Sequence, residues 1–334
     1  MQHLTRLTRN GVLLTAHALA AGWPARRLTR RLRRDGWLPI HRGAWAAPGV
    51  AVDWLLRARA MQILRPHLVC SHRTAAALHR VELLGNSPGS VPLEFSTTYR
   101  GSTDQPAGVR VRAATCLTDG DRTVRNGLVG TTPARTVADL LRAGPRDDAV
   151  VAADSALSPR RVAGVTRPAL VTLAGLAAEL APPLHGAQRA RRWLRLTDPA
   201  AGSPAETFTR LRMHDAGLHP ATQVELRTRA GRTVRPDFLF LAEGLVVEIE
   251  GYAFHGTREA HARDTRRFNE LATCAGVRRV LRFTAAEAFL RPDAMIATIR
   301  AALADLAGTP GEVGLPVLGA TGPSHRAGKN IQAS

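Results

Sequence analysis

Three carboxylates stand where carboxylates are expensive. Asp237 follows Arg235-Pro236 and opens the apolar run Phe238-Leu239-Phe240, while Glu248 and Glu250 bracket Ile249 after Leu245-Val246-Val247. Side chains alternate along a strand, so Glu248 and Glu250 share one face while Val247 and Ile249 take the other. Two acids in so apolar a strand cost free energy unless something compensates them. A divalent cation would do so, because Mg2+ takes carboxylate oxygens and keeps waters for chemistry. Elsewhere, Ser71 beside His72 offers a nucleophile next to a base, but no third residue orients the pair. Ser71 capping a helix, with an ordinary histidine after it, accounts for both, and no chemistry is assigned there.

The elements around the carboxylates follow a readable order. Ser203-Pro204-Ala205-Glu206 predicts a capping box with proline at the first helical position, and Gly217 ends that helix. Residues 223–228 alternate like a strand and Ala230-Gly231 makes a turn. Residues 234–241 form the next strand, Gly244 turns it, and 245–250 is the third. A long helix is expected over 258–275, closed by Gly276, then a strand over 277–283. Thr284-Ala285-Ala286-Glu287 is a second capping box, leading into C-terminal helices. The order is αβββαβα. Glu206 satisfies its capping role without catalysis, so both readings stay open for it.

The chain has 334 residues, a prior for about two domains, and a formal net charge of +19 carried almost wholly by arginine, Lys329 being the one lysine. That charge favours an anionic partner, nucleic acid first. Hydrophobic residues at 45% argue against wholesale disorder. No apolar run of about 18 residues predicts a membrane span. Arg6 and Arg9 ahead of residues 11–23 superficially match a secretory leader, but Thr15 and His17 interrupt the run and arginines follow, so a soluble helix is expected. Cys70, Cys116 and Cys274 are too scattered for a disulfide framework or zinc cluster, which fits a reducing cytoplasm.

Residues 1–50 hold nine arginines and one aspartate. A short helix over 15–20, a turn at Ala21-Gly22-Trp23 and a second helix over 26–34 make a helix-turn-helix signal, with residues 37–46 as a hairpin or wing tipped by His41 and Arg42. Leu28 and Leu32 face the core, and Arg26, Arg27, Arg30, Arg33 and Arg34 occupy the other faces, where they suit DNA phosphates or simply a solvated surface. Residues 51–148 read as a mixed α/β region, with helices over 51–65, after Ser71, and from Thr132-Pro133, and strands over 91–96 and 109–113. Residues 149–200 read as helical connectors and 309–334 as a disordered tail.

The first fifty residues resemble the N-terminal winged-helix domain of AbiEi-family antitoxins, through the Ala-Leu-Ala-Ala-Gly helix end, the arginine-rich second helix, and Trp37-Leu38-Pro39-Ile40-His41-Arg42-Gly43 leading to Trp45-Ala46. Ser71-His72-Arg73 and Thr132-Pro133-Ala134-Arg135 resemble the middle region of the same proteins. Residues 201–308 resemble PD-(D/E)XK nucleases, through Pro236-Asp237 and Glu248-Ile249-Glu250. More narrowly, Val247 to His255 and Arg279-Val280-Leu281-Arg282-Phe283-Thr284 resemble domains related to very-short-patch-repair endonucleases.

The resemblance implies an α/β multi-domain chain: a winged helix-turn-helix, a mixed α/β middle region and a restriction-endonuclease-like core. It implies Mg2+ (or Mn2+) held by Asp237, Glu248 and Glu250, with Glu206 as an auxiliary acid. Glu250 takes the motif's lysine position, where a carboxylate binds metal or accepts protons but supplies no positive charge. His255 would orient water or protonate the leaving oxygen, unless it only precedes the helix. His261 and Asp264 would support the site, and Arg282 and Arg42 would contact phosphate. The expected function is a DNA-binding, divalent-metal-dependent endonuclease. The alternatives are a non-catalytic DNA-binding regulator of antitoxin type and, third, an RNA substrate.

Overall fold

The computed structural model describes residues 4–85, 89–99, 105–114, 116–250 and 266–308. The chain is a mixed α/β protein in two compact units, Met1–Pro199 and Ala200–Ser334. No helix among the described residues is long and apolar enough to cross a membrane. The expected tail over 309–334 and the expected helix up to residue 265, with His255, His261 and Asp264, lie outside the described residues.

The first unit opens on a 3-10 helix (Leu4–Leu7), followed by strand β1 (Val12–Leu14), helices α1 (Thr15–Ala20) and α2 (Ala25–Arg34), and strands β2 (Leu38–His41) and β3 (Ala44–Ala46). The run over 11–23 is therefore not all helix, because Val12–Leu14 pairs with β3 in a sheet ordered β1-β3-β2. Leu28 and Leu32 turn inward from α2 onto Leu13, Ala18, Trp37 and Trp45. This apolar stripe, repeating every four residues, seats the helix and leaves its arginines outward.

Next come α3 (Trp54–Leu64), β4 (Val69–Cys70), α4 (His72–Leu78), β5 (Leu93–Thr97), β6 (Val109–Ala113), β7 (Arg122–Arg125) and β8 (Leu128–Thr131). The five strands β4 to β8 form one sheet ordered β6-β5-β4-β8-β7. Helices α5 (Pro133–Ala143) and α6 (Arg146–Leu157), the hairpin β9 (Arg160–Val162) and β10 (Val165–Arg167), then α7 (Leu173–Glu179) and α8 (Ala187–Leu194) complete the unit. The hairpin corrects the expectation of purely helical connectors. It turns at Ala163-Gly164, both with positive φ, and its buried residues are Arg160 and Arg167 rather than apolar side chains, so no hydrophobic alternation announces it.

The second unit runs α9 (Pro204–Asp215), β11 (Ala221–Thr222), β12 (Leu226–Arg227), β13 (Thr233–Val234), β14 (Phe238–Phe240), β15 (Leu245–Glu250), α10 (residues 266–272), β16 (Arg279–Thr284), α11 (Ala285–Leu290) and α12 (Pro292–Ala307). The main sheet is ordered β11-β14-β15-β16. β14 and β15 are antiparallel and β16 lies parallel to β15. Phe238, Phe240, Leu245, Val247 and Ile249 pack with Met213, Ala288 and Ile299 from the helices, while Leu239 and Val246 on the other face pack with Leu226, Leu271 and Cys274.

Two expected strands are broken. Residues 223–228 yield only β12, with β11 before it, because Gln223 takes a positive φ of 50°. Residues 234–241 are interrupted at Arg235-Pro236, where proline has no N–H for the ladder. Gly244 turns β14 into β15 at φ 64°, and a β-carbon there would stand 2.2 Å from the Gly276 carbonyl. No other residue fits that approach.

Candidate active site

Asp237 and Glu248 fall on adjacent antiparallel strands, one position beyond the Phe238–Val247 pair, so the pleat turns both toward the Leu239 and Val246 face. The Asp237 N–H donates to Glu248 Oε1 at 3.2 Å, and the Ile249 N–H donates to Asp237 Oδ2 at 2.8 Å. Each acid is thereby tied to the other's strand. Both side chains are largely buried, at 11% and 12% exposure.

Glu206 joins this pair through Gln223, whose Nε2 donates to Glu206 Oε2 and to Asp237 Oδ1, both at 3.2 Å. Ser203 does cap α9, accepting from the Glu206 N–H, but the reciprocal half of the capping box is missing. The Glu206 carboxylate accepts instead from the Gly202 N–H at 2.6 Å. It is thus aimed at the start of the sheet, and the absent β-carbon of Gly202 leaves it room.

The fifth member is Arg267 on α10. Its Nε donates to Glu248 Oε2 at 3.2 Å, and its Nη2 donates to Glu248 Oε1 at 3.3 Å and to the Arg235 carbonyl at 2.7 Å, lying 4.0 Å from Asp237 Oδ1. Burial, then the charges of Glu206 and Glu248, push the Asp237 carboxyl up to about 7, against the Ile249 N–H and Arg267, which favour its ionised form. One guanidinium does not neutralise three carboxylates in so sheltered a place.

Among the described residues, Glu250 shares no hydrogen bond with this cluster. It pairs with Arg282 of β16, whose guanidinium also lies 5.1 Å from the centre of the Phe268 ring. The same-face placement of Glu248 and Glu250 follows from the pleat, yet a neighbouring strand claims the second acid. Among the described residues no group of three or more His, Cys, Asp or Glu is arranged to hold a metal ion. Asp237 and Glu248 alone nevertheless suit Mg2+ or Mn2+, which often take one or two carboxylates and fill the remaining positions with water and substrate phosphate.

Two members are not apparent from the sequence. Gln223 hides in a stretch that alternates like a strand. Arg267 comes three residues after Asp264 in the stretch expected to be helical, a spacing that shares a helix face, but a guanidinium is no metal ligand.

In the first unit, Arg26, Arg27, Arg30, Arg33, Arg34 and Arg42 are exposed. Arg31 and Arg34 pair with Asp35 at the end of α2. His41 turns inward, its Nε2 3.0 Å from the Arg57 carbonyl, which leaves Arg42 as the basic residue at the hairpin tip. Ser71 stands at the N-cap of α4, but its side chain makes no capping hydrogen bond. Its hydroxyl lies 3.0 Å from His72 Nδ1, and His72 starts the helix at φ 47°. Behind it sits a buried ionic cluster in which Asp139 accepts from Arg135 Nε at 3.0 Å and from Arg142 Nη2 at 2.7 Å, with Arg135 also paired to Asp121 at 3.2 Å. Compared with known protein families and with curated proteins, the chain has no match.

Proposed function

We propose that the chain is a DNA-binding, divalent-metal-dependent endonuclease-like protein, with a winged helix-turn-helix at its N-terminus and a PD-(D/E)XK-type nuclease core in its second unit. The observation that carries this reading is the sheltered Asp237–Glu248 pair on adjacent strands, under-neutralised and backed by Glu206 through Gln223. Asp237 and Glu248 would hold the cation. When bound, it supplies Lewis-acid stabilisation of charge developing on phosphate oxygens. Gln223 fixes the Asp237 oxygen and Glu206 adds negative charge behind it. Glu250, standing where the motif has lysine, accepts protons, and Arg282 supplies the local positive charge.

The second reading, a non-catalytic regulator of antitoxin type, is favoured by that same Glu250–Arg282 pair, which replaces the lysine with an ion pair. Incubating supercoiled plasmid with the full chain and Mg2+ or Mn2+ separates them. Nicking by wild type that is lost in Asp237→Ala supports the nuclease. If both proteins are inert with every metal, the regulator reading stands.

Binding should be largely electrostatic in either case. The exposed arginines of α2 surround Leu28 and Leu32, and each phosphate deprived of its arginine lowers the slope of log affinity against log salt by about one. Changing Arg26, Arg30 and Arg33 to Ala together should therefore weaken duplex binding across unrelated sequences and flatten that slope by up to about three. Equal affinity at every salt concentration would remove α2 from the interface.

A further inference from the structure

We propose that Arg267 is the resident counter-ion of the acidic pair, so that a divalent cation enters at Asp237 and Glu248 only as the Arg267 guanidinium leaves Glu248. The inference rests on the divalent-cation reading of that pair. Its basis is how the oxygens are shared. Glu248 Oε1 already accepts from the Asp237 N–H and from Arg267 Nη2, and Oε2 accepts from Arg267 Nε, so two of the pair's four oxygens face the guanidinium. A cation on Asp237 Oδ1, at an ordinary Mg–O distance of about 2 Å, would stand beside Arg267 Nη2, itself 4.0 Å from that oxygen. Two cations that close, in a sheltered site, repel strongly.

The more exposed partner, and so the one able to leave, is the arginine. Its side chain is 48% exposed against 12% for Glu248, and the carboxylates accept from backbone N–H groups, while among the described residues Arg267 donates to Glu248 and the Arg235 carbonyl. A guanidinium stays protonated throughout the working pH range, so deprotonation cannot release it. An anion must receive it, and phosphate oxygens match its planar fork. Cation loading and arrival of a phosphate are then coupled, and the site binds metal more weakly while no substrate is present.

The test is a Mn2+ titration of the full chain without DNA, by calorimetry, on wild type, Arg267→Gln and Arg267→Lys, each also carrying Asp237→Asn. Arg267→Gln should bind Mn2+ at least about tenfold more tightly than wild type, Arg267→Lys should stay close to wild type, and Asp237→Asn should abolish the gain. Equal or weaker binding by Arg267→Gln overturns the proposal, as does the absence of saturable binding in both. Should Arg267→Gln fail to fold, the Arg267 Nε–H signal of wild type, assigned with Arg267→Lys, serves instead. Mg2+ must shift it in wild type and not in Asp237→Asn, and an unmoved signal refutes release. Plasmid cleavage is scored separately. An inert protein whose Mn2+ site tightens in Arg267→Gln loses the nuclease reading and keeps this one, and an active protein whose Mn2+ site does not tighten does the reverse.

Discussion

Asp237→Asn is expected to make the second unit more stable than wild type at pH 8 in chelator, by about 3 kcal/mol, and less stable than wild type by about 1 kcal/mol at pH 4. An Asp carboxyl raised from its ordinary 3.8 to about 7 binds a proton more tightly folded than unfolded. The wild-type fold is therefore favoured while pH lies below the unfolded value, and that advantage is lost as pH rises from about 4 to about 7. A carboxyl raised that far forfeits about 4 kcal/mol across the range. Asparagine removes the charge but makes Gln223 reverse its amide and give up its bond to Glu206, a loss of about 1 kcal/mol. All five tryptophans lie at or before Trp193, in the first unit. The relevant transition is thus the calorimetric one that tryptophan fluorescence does not follow, with labelling of buried Cys274 as an independent reporter. If the pair holds Mg2+ as proposed, then at pH 8 Mg2+ at ten times its dissociation constant should return about 1.4 kcal/mol to wild type and nothing to the variant. A stability difference that stays flat from pH 5 to pH 8 would show Asp237 to be ionised throughout.

Asp139→Ala should cost the first unit about 3–5 kcal/mol. The Asp139 side chain is 10% exposed, and it receives Arg135 and Arg142, themselves 9% and 7% exposed. Deleting one acid leaves two buried guanidiniums short of an anion, and breaking a buried pair from one side is far more damaging than never having built it. Arg135 keeps Asp121 and the Cys116 carbonyl, and Arg142 keeps the Glu179 carbonyl, which sets the upper bound. Asp139→Asn retains an acceptor and should lose about half as much. Urea unfolding followed by tryptophan fluorescence reads this unit alone. A midpoint unchanged in Asp139→Ala would mean that water reaches the cluster.

What could be read in advance, and what could not, divides by range. Period-two alternation puts Glu248 and Glu250 on one face and Val247 and Ile249 in the core, and the packing of Val247 and Ile249 agrees. Thr284 and Glu287 form their reciprocal cap as their spacing implies, and Thr132 caps α5. These are local rules. The partners of the acids were not legible, because they depend on which distant element arrives beside them. Glu250 goes to Arg282 across a parallel strand pair, and Glu248 goes to Arg267 from a helix. Glu206 leaves its capping partner for Gly202 and Gln223. Ser71 turns to its own neighbour rather than to the helix end, a choice set by the positive φ of His72 that no side-chain pattern encodes. Buried arginines hide the β9–β10 hairpin in the same way, since a hydrophobicity pattern cannot register a charged core.

The tight Gly244 turn also fixes an order of events. β14 and β15 are near neighbours in sequence, and hairpins of this kind close in about 1–10 μs. Asp237 and Glu248 are therefore opposed early in folding, whereas Arg267 and the parallel strand β16 come from further along the chain and must wait for a long crossover to close. During that interval two like charges face each other across a young ladder with no cation between them. The arrival of the helix that brings the guanidinium is therefore expected to limit the refolding rate of the second unit. Lower pH or added Mg2+ should then accelerate refolding of the second unit, and a refolding rate unmoved by either would show that the facing charges do not hold it back.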